Sequence, residues 1–243
     1  HAAGICALTD EEAALIRRRF RPAAAVHVVG GGLGDVSPPN DALERFGLTG
    51  RDYVVTVGRL EPGKGVPELI DFMGEYHRRR GSSVPLVLVG ANLAGIDDAP
   101  GVIQTGFVDD RTRWTLTGGA AVLAQPSYFE SFSLSLAEGW QTGRPALVQG
   151  RCDVLAGQVA RSAGGLSYRS YGEFESALAL LLARPELRSG LGEAGRRYVQ
   201  RYRWPQVLDA FETCVDETVH RWRRGRLAGV GAAGPLHEGT ESG

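Results

Sequence analysis

Between Asp52 and Tyr168, short continuous apolar runs alternate with longer stretches in which apolar residues recur every three or four positions. The runs predict strands at Tyr53 to Val57, Leu86 to Val89, Val102 to Thr105, Ala120 to Ala124, Pro145 to Gln149 and Gly165 to Tyr168. The periodic stretches predict helices at Val66 to about Arg80, near Asp110 to Leu116, about Ser133 to Gln141 and about Asp153 to Arg161. Apolar strands of about five residues, each followed by an amphipathic helix, are the pattern of a parallel sheet covered on both faces, the doubly wound α/β class.

The flanks read differently. Ala2 to Leu8 predicts a short buried strand, Thr9 with Glu12 a capping box for a helix to about Phe20, and Ala23 to Val29 a second strand. The glycine cluster Gly30-Gly31-Gly32-Leu33-Gly34 does not fit G-x-G-x-x-G in any frame and is followed by Ser37-Pro38-Pro39, so it reads as a hinge and not a phosphate loop. Three helical stretches close the chain: Tyr171 to Leu182, Pro185 to Arg201, and Pro205 to about Arg224 with Val207, Phe211, Val215 and Val219 at helical spacing. The Gly/Ala-rich residues 226–243 lack periodicity and are expected to be disordered.

Composition narrows the function classes. At 243 residues the chain has room for one large α/β domain plus a fragment of another, and its start at His1 without an initiator Met reads as a fragment. A formal net charge of −1 gives no reason to expect nucleic acid or an anionic membrane as a partner. Cys6, Cys152 and Cys214 are odd in number and far apart, which predicts a reduced cytoplasmic setting without structural zinc. No apolar run reaches the roughly 18–20 residues of a membrane span. His27, His77 and His220 lack metal spacing, Cys152 has no histidine nearby in sequence, and the basic run Arg221-Trp222-Arg223-Arg224 reads as a solvated helix end.

The candidate chemistry lies after the first and fourth strands of the alternating region. Lys64 is the only lysine in the chain and follows Gly58-Arg59-Leu60-Glu61-Pro62-Gly63. A loop at the C-terminal end of a strand is where open α/β sheets bind ligands. The ammonium of Lys64 and the planar guanidinium of Arg59 could share a diphosphate. Glu130 falls in the loop after Ala120 to Ala124 and Glu138 inside the next helix, so the two reach different parts of an extended ligand. Between them the N–H groups of Ser131, Phe132, Ser133 and Leu134 form a helix N-terminus suited to a phosphate. Taken singly, each charge fits a solvated loop, Glu130 an N-cap and Glu138 a surface carboxylate. Together they point to a nucleotide-sugar site.

In this order the motifs Gly58-Arg59 with Lys64-Gly65, Pro126-Ser127, Glu130 with Glu138, Gly143-Arg144-Pro145 and Arg203-Trp204-Pro205 resemble the C-terminal domain of retaining GT-B glycosyltransferases of family 4. The resemblance runs from about residue 51 to 210. It implies a Rossmann-like, doubly wound parallel sheet at 51–204 forming the C-terminal half of a GT-B fold. Residues 1–50 would be the remnant of the N-terminal domain plus hinge, and 205–225 a C-terminal helix. By the same resemblance Arg59, Lys64 and Glu130 are the catalytic residues, the first two on the diphosphate and Glu130 on the donor sugar. Gly58, Ser131, Phe132, Ser133, Leu134 and Glu138 bind the donor, with Glu138 on the ribose, and Val108 after Phe107 contacts the base. The implied substrates are a UDP- or GDP-sugar and a sugar, lipid-linked or small-molecule acceptor. No cofactor and no metal are expected, and a weak association with the inner face of the membrane would come through the missing domain. The sequence departs from the family where Glu130-Ser131-Phe132-Ser133 replaces Glu-Gly-Phe-Gly and Gly31-Gly32-Leu33-Gly34-Asp35 replaces Pro-Asn-Gly-Val-Asp. Two other readings stand beside the transferase: a non-catalytic nucleotide- or glycan-binding module, and a GT-B-fold sugar-nucleotide epimerase.

Overall fold

The computed structural model describes residues 2–230. A small unit comes first, with β1 (Gly4–Ala7), α1 (Asp10–Phe20) and β2 (Ala25–Val28). After a glycine-rich linker and a one-turn helix α2 (Ala42–Arg45), the main body runs β3 (Val54–Val57), α3 (Val66–Arg80), β4 (Leu86–Val89), β5 (Val102–Gly106), α4 (Asp110–Gly119), β6 (Val122–Gln125) and α5 (Leu134–Gln141). It continues through β7 (Ala146–Gln149), α6 (Asp153–Ser162), β8 (Gly165–Tyr168), α7 (Tyr171–Ala183) and α8 (Pro185–Val199) to the long α9 (Trp204–Val230).

The six strands of the main body pair in parallel in the order β5-β4-β3-β6-β7-β8. Val54 is in register with Leu86 on one side and with Val122 on the other. Growth of the sheet therefore reverses between β3 and β6, and at such a switch point the loops leaving the two strands diverge to opposite faces and open a crevice. The central strands carry near-continuous apolar runs because helices cover both faces: Leu86 to Val89, Val122 to Ala124 and Ala146 to Val148 are all buried. One core layer gathers around Trp140, Tyr53 and Leu116, and the other around Met73, Phe174 and Tyr168.

Helix starts follow local chemistry. Thr9 Oγ1 accepts from the Glu12 N–H at 3.3 Å, while the Glu12 carboxylate turns back to the Leu8 N–H at 2.6 Å, one residue before the cap. Asp109 caps α4 through the Thr112 N–H at 2.7 Å, and Ser170 caps α7 through the Glu173 N–H.

The small unit is a two-stranded parallel sheet, which is marginal by itself. It is buttressed by α9, which crosses back to it: Cys214 Sγ lies 3.2 Å from Cys6 Sγ in β1, and Glu217 pairs with His27 of β2 at 3.6 Å. The linker is pinned rather than free. The Leu33 N–H donates to the Tyr202 carbonyl at 2.8 Å, and a Cβ on Gly31 would stand 2.8 Å from the Phe132 ring.

Several elements differ from the sequence expectation, among them the Lys64 loop, which winds into a 3-10 turn over Pro62–Lys64. The four-residue α2 has no apolar period to announce it. At the end of α8 the chain tightens at Val199 into a 3-10 turn over Gln200–Tyr202. The helix expected to stop near Arg224 continues as α9 to Val230, so residues 226–230 are helical where disorder was expected. Arg, Leu and Ala are strong helix formers, and Gly225 and Gly229 inside a long helix cost only about 1 kcal/mol each. Residues 231–243 of the expected disordered tail lie outside the described residues. Among the described residues no helix is long and apolar enough to cross a membrane.

Candidate functional site

At the switch point lies an open cleft of about 430 Å³ between the segments that follow β3 and β6. The first segment brings Gly58, Arg59 and Lys64, and the second Gln125, Pro126, Ser127 and Glu130. The far wall is the start of α5, with Ser133, Leu134, Ser135 and Glu138, and Arg113 of α4. Backbone packing sets the spacing between the two segments. Gly65 has φ of 69°, and a Cβ there would stand 2.2 Å from the Pro126 carbonyl oxygen. Only glycine lets the Lys64 loop close down on the β6 loop.

That closure puts Lys64 Nζ 2.9 Å from Glu130 Oε1. The Glu130 side chain is only 10% exposed, whereas that of Lys64 is 34% exposed. Gln125 Nε2 donates to the same Glu130 oxygen at 3.2 Å and to Ser133 Oγ at 3.0 Å, so the carboxylate is fixed from two directions. An ammonium has three N–H donors, and Glu130 takes one of those of Lys64, so others are available to an incoming anion. Arg59 is the more exposed cation of the pair: its side chain is 71% exposed and, among the described residues, pairs with Glu61 at 3.2 Å, an exposed contact worth little.

Ser133 precedes α5 with φ 67° and ψ 81°, the left-handed region, which costs a residue with a Cβ roughly 1–2 kcal/mol. The reward is geometric. The helix opens toward the cleft, and the unpaired N–H groups of its first turn supply partial positive charge there.

Glu138 sits one turn further on and bonds Nη1 of Arg113. Arg113 is shared with Asp110 at 3.2 Å and lies 4.7 Å over the Trp114 ring, which holds the guanidinium in place. Burial pushes the Glu138 carboxyl above the usual carboxylate range, and Arg113 offsets only part of that rise.

The structure thus brings Gly58, Arg59, Lys64, Glu130, Ser133, Leu134 and Glu138 to one cleft. Three expected residues lie elsewhere. Helix α5 starts at Leu134, later than the expected run of free N–H groups at 131–134, so Ser131 and Phe132 fall on its outer side. The Ser131 carbonyl accepts from the Thr9 hydroxyl at 3.0 Å. The Phe132 ring is buried against Tyr202 at 4.9 Å between centroids. Val108 packs against the core and does not line the cleft, while Phe107 beside it is 87% exposed. Arg113 and Gln125 were not foreseen. Gln125 directly follows the predicted strand Ala120 to Ala124 and ends the observed β6, whereas Arg113 sits on a separate helix and reaches Glu138 only through the sheet order.

Residues 42–198 match the family model described as glycosyl transferases group 1. The chain belongs to this family. Among curated relatives, the D-inositol 3-phosphate glycosyltransferase of Segniliparus rotundus is 30% identical over 195 residues, covering 73% of this chain and 43% of the relative. That of Saccharomonospora viridis is 29% identical over 240 residues, covering 88% and 56%. The chain therefore spans about half the length of the curated relatives it matches. Anabaena HepE, in complex with UDP and glucose, superposes with a TM-score of 0.71 at 18% identity, covering 90% of this chain and 63% of that one. Sucrose-phosphate synthase from Thermosynechococcus elongatus gives 0.70 at 22% identity, with 94% and 59% covered. At these identities the shared property is the fold: a parallel sheet flanked by helices, as in GT-B glycosyltransferases.

Proposed function

We propose that this group 1 glycosyl transferase chain is the donor-binding half of a retaining hexosyltransferase that moves a sugar from a nucleoside diphosphate to an acceptor hydroxyl. The observation that carries the reading is the cleft at the switch point, where Lys64, paired to a nearly buried Glu130, shares one wall-to-wall space with Arg59 and Glu138. Arg59 and Lys64 face the diphosphate together with the first turn of α5. They stabilise the charge that grows on the leaving phosphate as its bond to the anomeric carbon breaks. Glu130 accepts from hydroxyls of the donor sugar. Glu138, oriented by Arg113, uses its remaining lone pairs on the ribose hydroxyls.

In the transfer the acceptor oxygen bonds to the anomeric carbon on the face the phosphate leaves. The electron pair of the breaking C–O bond stays with the diphosphate, and the acceptor proton passes to a phosphate oxygen. The two cations perform the neutralisation, so the reading is metal-independent. It places the reaction in the cytoplasm, at the inner face of the membrane when the acceptor is lipid-linked. UDP is the first nucleotide to try, because HepE is in complex with it.

Titration calorimetry with UDP, GDP and ADP tests the site, using this chain and its Lys64→Ala and Glu138→Ala variants. One nucleotide is expected to bind selectively and to weaken in both variants. No binding of any of the three, or binding undiminished in both variants, sinks the reading.

A further inference from the structure

The chain has three cysteines, and two of them meet. Cys6 of β1 and Cys214 of α9 are 208 positions apart in sequence, yet their Sγ atoms lie 3.2 Å apart. Cys214 is 4% exposed, while Cys6 lies at the surface, so one sulfur of the pair is sheltered and its partner can be reached from solvent. Cys152 stands apart, buried in the core of the main body.

The contact is built by the way α9 lies on β1. A Cβ on Gly4 would stand 2.2 Å from Thr218 Oγ1, so strand and helix approach as closely there as a glycine allows. Gly4 to Cys6 advances about 6.6 Å along a strand, and Thr218 back to Cys214 about 6.0 Å along a helix, so the two crossings are in step. Glu217, beside Thr218, pairs with His27 of β2 at 3.6 Å and fixes the helix across the second strand. The two sulfurs are therefore held together by the contacts around them. Closing from 3.2 Å to the roughly 2.05 Å of a disulfide moves them by about 1 Å. Partial burial of its sulfur, with Cys214 beside it, pushes the Cys6 thiol up to about 11. It is protonated at neutral pH, which fits a pair that waits for an oxidant and not a catalytic thiolate.

We propose that Cys6 and Cys214 form a reversible redox modification site, converted to a disulfide by exchange with a small disulfide of the oxidised glutathione class. Cys6, as its thiolate, attacks one sulfur of the small disulfide. That S–S bond breaks, one small thiol leaves with the Cys6 proton, and a mixed disulfide remains on Cys6. Cys214 then attacks the Cys6 sulfur, the mixed disulfide breaks, and the second small thiol leaves with the Cys214 proton. The chain gives up two electrons and two protons, and the small disulfide takes them. Cys214 already lies against the target sulfur, so the mixed disulfide is resolved and not stored. The bridge joins β1 to α9 across the whole main body, removes freedom from the unfolded chain and fixes the small N-terminal unit on the closing helix. That unit reaches the Glu130 loop through the Thr9 hydroxyl on the Ser131 carbonyl, but the thiol chemistry does not depend on what the cleft binds.

In the test, the reduced chain is incubated with excess oxidised glutathione, its remaining thiols are blocked with iodoacetamide in denaturant, and intact and peptide masses are read. The parent is expected to gain no glutathione, to keep only Cys152 alkylated, and to yield the Cys6 peptide joined to the Cys214 peptide. Dithiothreitol should then restore all three thiols. In Cys214→Ser nothing resolves the mixed disulfide, so glutathione stays on Cys6, whereas Cys6→Ser takes up none because Cys214 is sheltered. Cys152→Ser should form the same bridge as the parent. The oxidised parent should melt roughly 4–16 °C above its reduced form. Glutathione retained on Cys6 of the parent, or Cys6 and Cys214 both still alkylated after the incubation, overturns the proposal. So does a bridge to Cys152, glutathione found on Cys6→Ser in place of Cys214→Ser, or an oxidised form that melts below the reduced one. The deciding masses are read on the parent itself, so the outcome stands even where a serine variant unfolds.

Discussion

Changing Gly65 to alanine tests how the Lys64 loop is held. The new Cβ would sit at a φ of 69° and 2.2 Å from the Pro126 carbonyl oxygen, a backbone atom that cannot rotate away. The left-handed conformation costs about 1–2 kcal/mol for alanine. Relief of the clash by shifting backbone adds about 1–3 kcal/mol. Loss of unfolded-chain freedom returns about 0.4–1 kcal/mol. The net destabilisation is about 2–4 kcal/mol, which for a chain of this size lowers Tm by roughly 4–16 °C. The shift also carries Lys64 away from Glu130, so one charge-assisted hydrogen bond to a diphosphate is lost and UDP affinity falls about tenfold. Gly63→Ala is the matched control, because nothing lies within 4 Å of its Cβ position and the same loop is altered; it should stay within about 0.5 kcal/mol of the parent. Urea unfolding followed by circular dichroism, with UDP calorimetry on the same samples, reads both effects. If Gly65→Ala matches Gly63→Ala in stability and in UDP affinity, the close approach of the two loops does not set the site.

Other consequences are separable. At Ser133, replacement by glycine should be more stable than replacement by alanine by about 1–2 kcal/mol in urea unfolding, because both lose the hydroxyl bonded to Gln125 and only alanine keeps the left-handed strain. Burial raises the Glu138 carboxyl, so the protonated form is more favoured in the native chain than in the unfolded one. Its contribution is complete below the unfolded value near pH 4 and is lost as pH rises through the higher native value. Between pH 4 and 7 the parent should therefore lose stability relative to Glu138→Gln; parallel unfolding curves across that range would contradict it. Thr9→Ala removes the α1 cap and the bond to Ser131, costs about 1–2 kcal/mol, and should increase hydrogen exchange in α1 before it affects β3 or β6.

Much of this architecture is legible in one dimension. Strand β4 runs over the residues that its apolar run marks, because a strand buried on both faces must be apolar throughout, and β8 and α3 also keep the bounds that the sequence marks for them. Lys64 and Glu130 stand out because a turn glycine and a strand end mark loops where side chains leave the sheet, and Glu138 through its spacing from Glu130. The start of α5 was less legible, since nothing local to Ser133 announces a left-handed serine. The one-turn α2 and the last residues of α9 were hidden for a related reason: one is too short to carry a period, and the other needs none to remain helical.

Composition and periodicity thus determined the elements, their class and the loops that carry charge, because burial of a strand or helix face is decided by residues only a few positions apart. Tertiary structure alone decided that growth of the sheet reverses between β3 and β6, which sets the Lys64 loop against Glu130 across 66 positions of chain. It also decided that Arg113 meets Glu138 and that Phe132 turns into the core while Glu130 borders the cleft. These pairings depend on strand order and on backbone close to backbone, as at Gly65 and Pro126, and such contacts leave no periodic trace in the sequence that makes them.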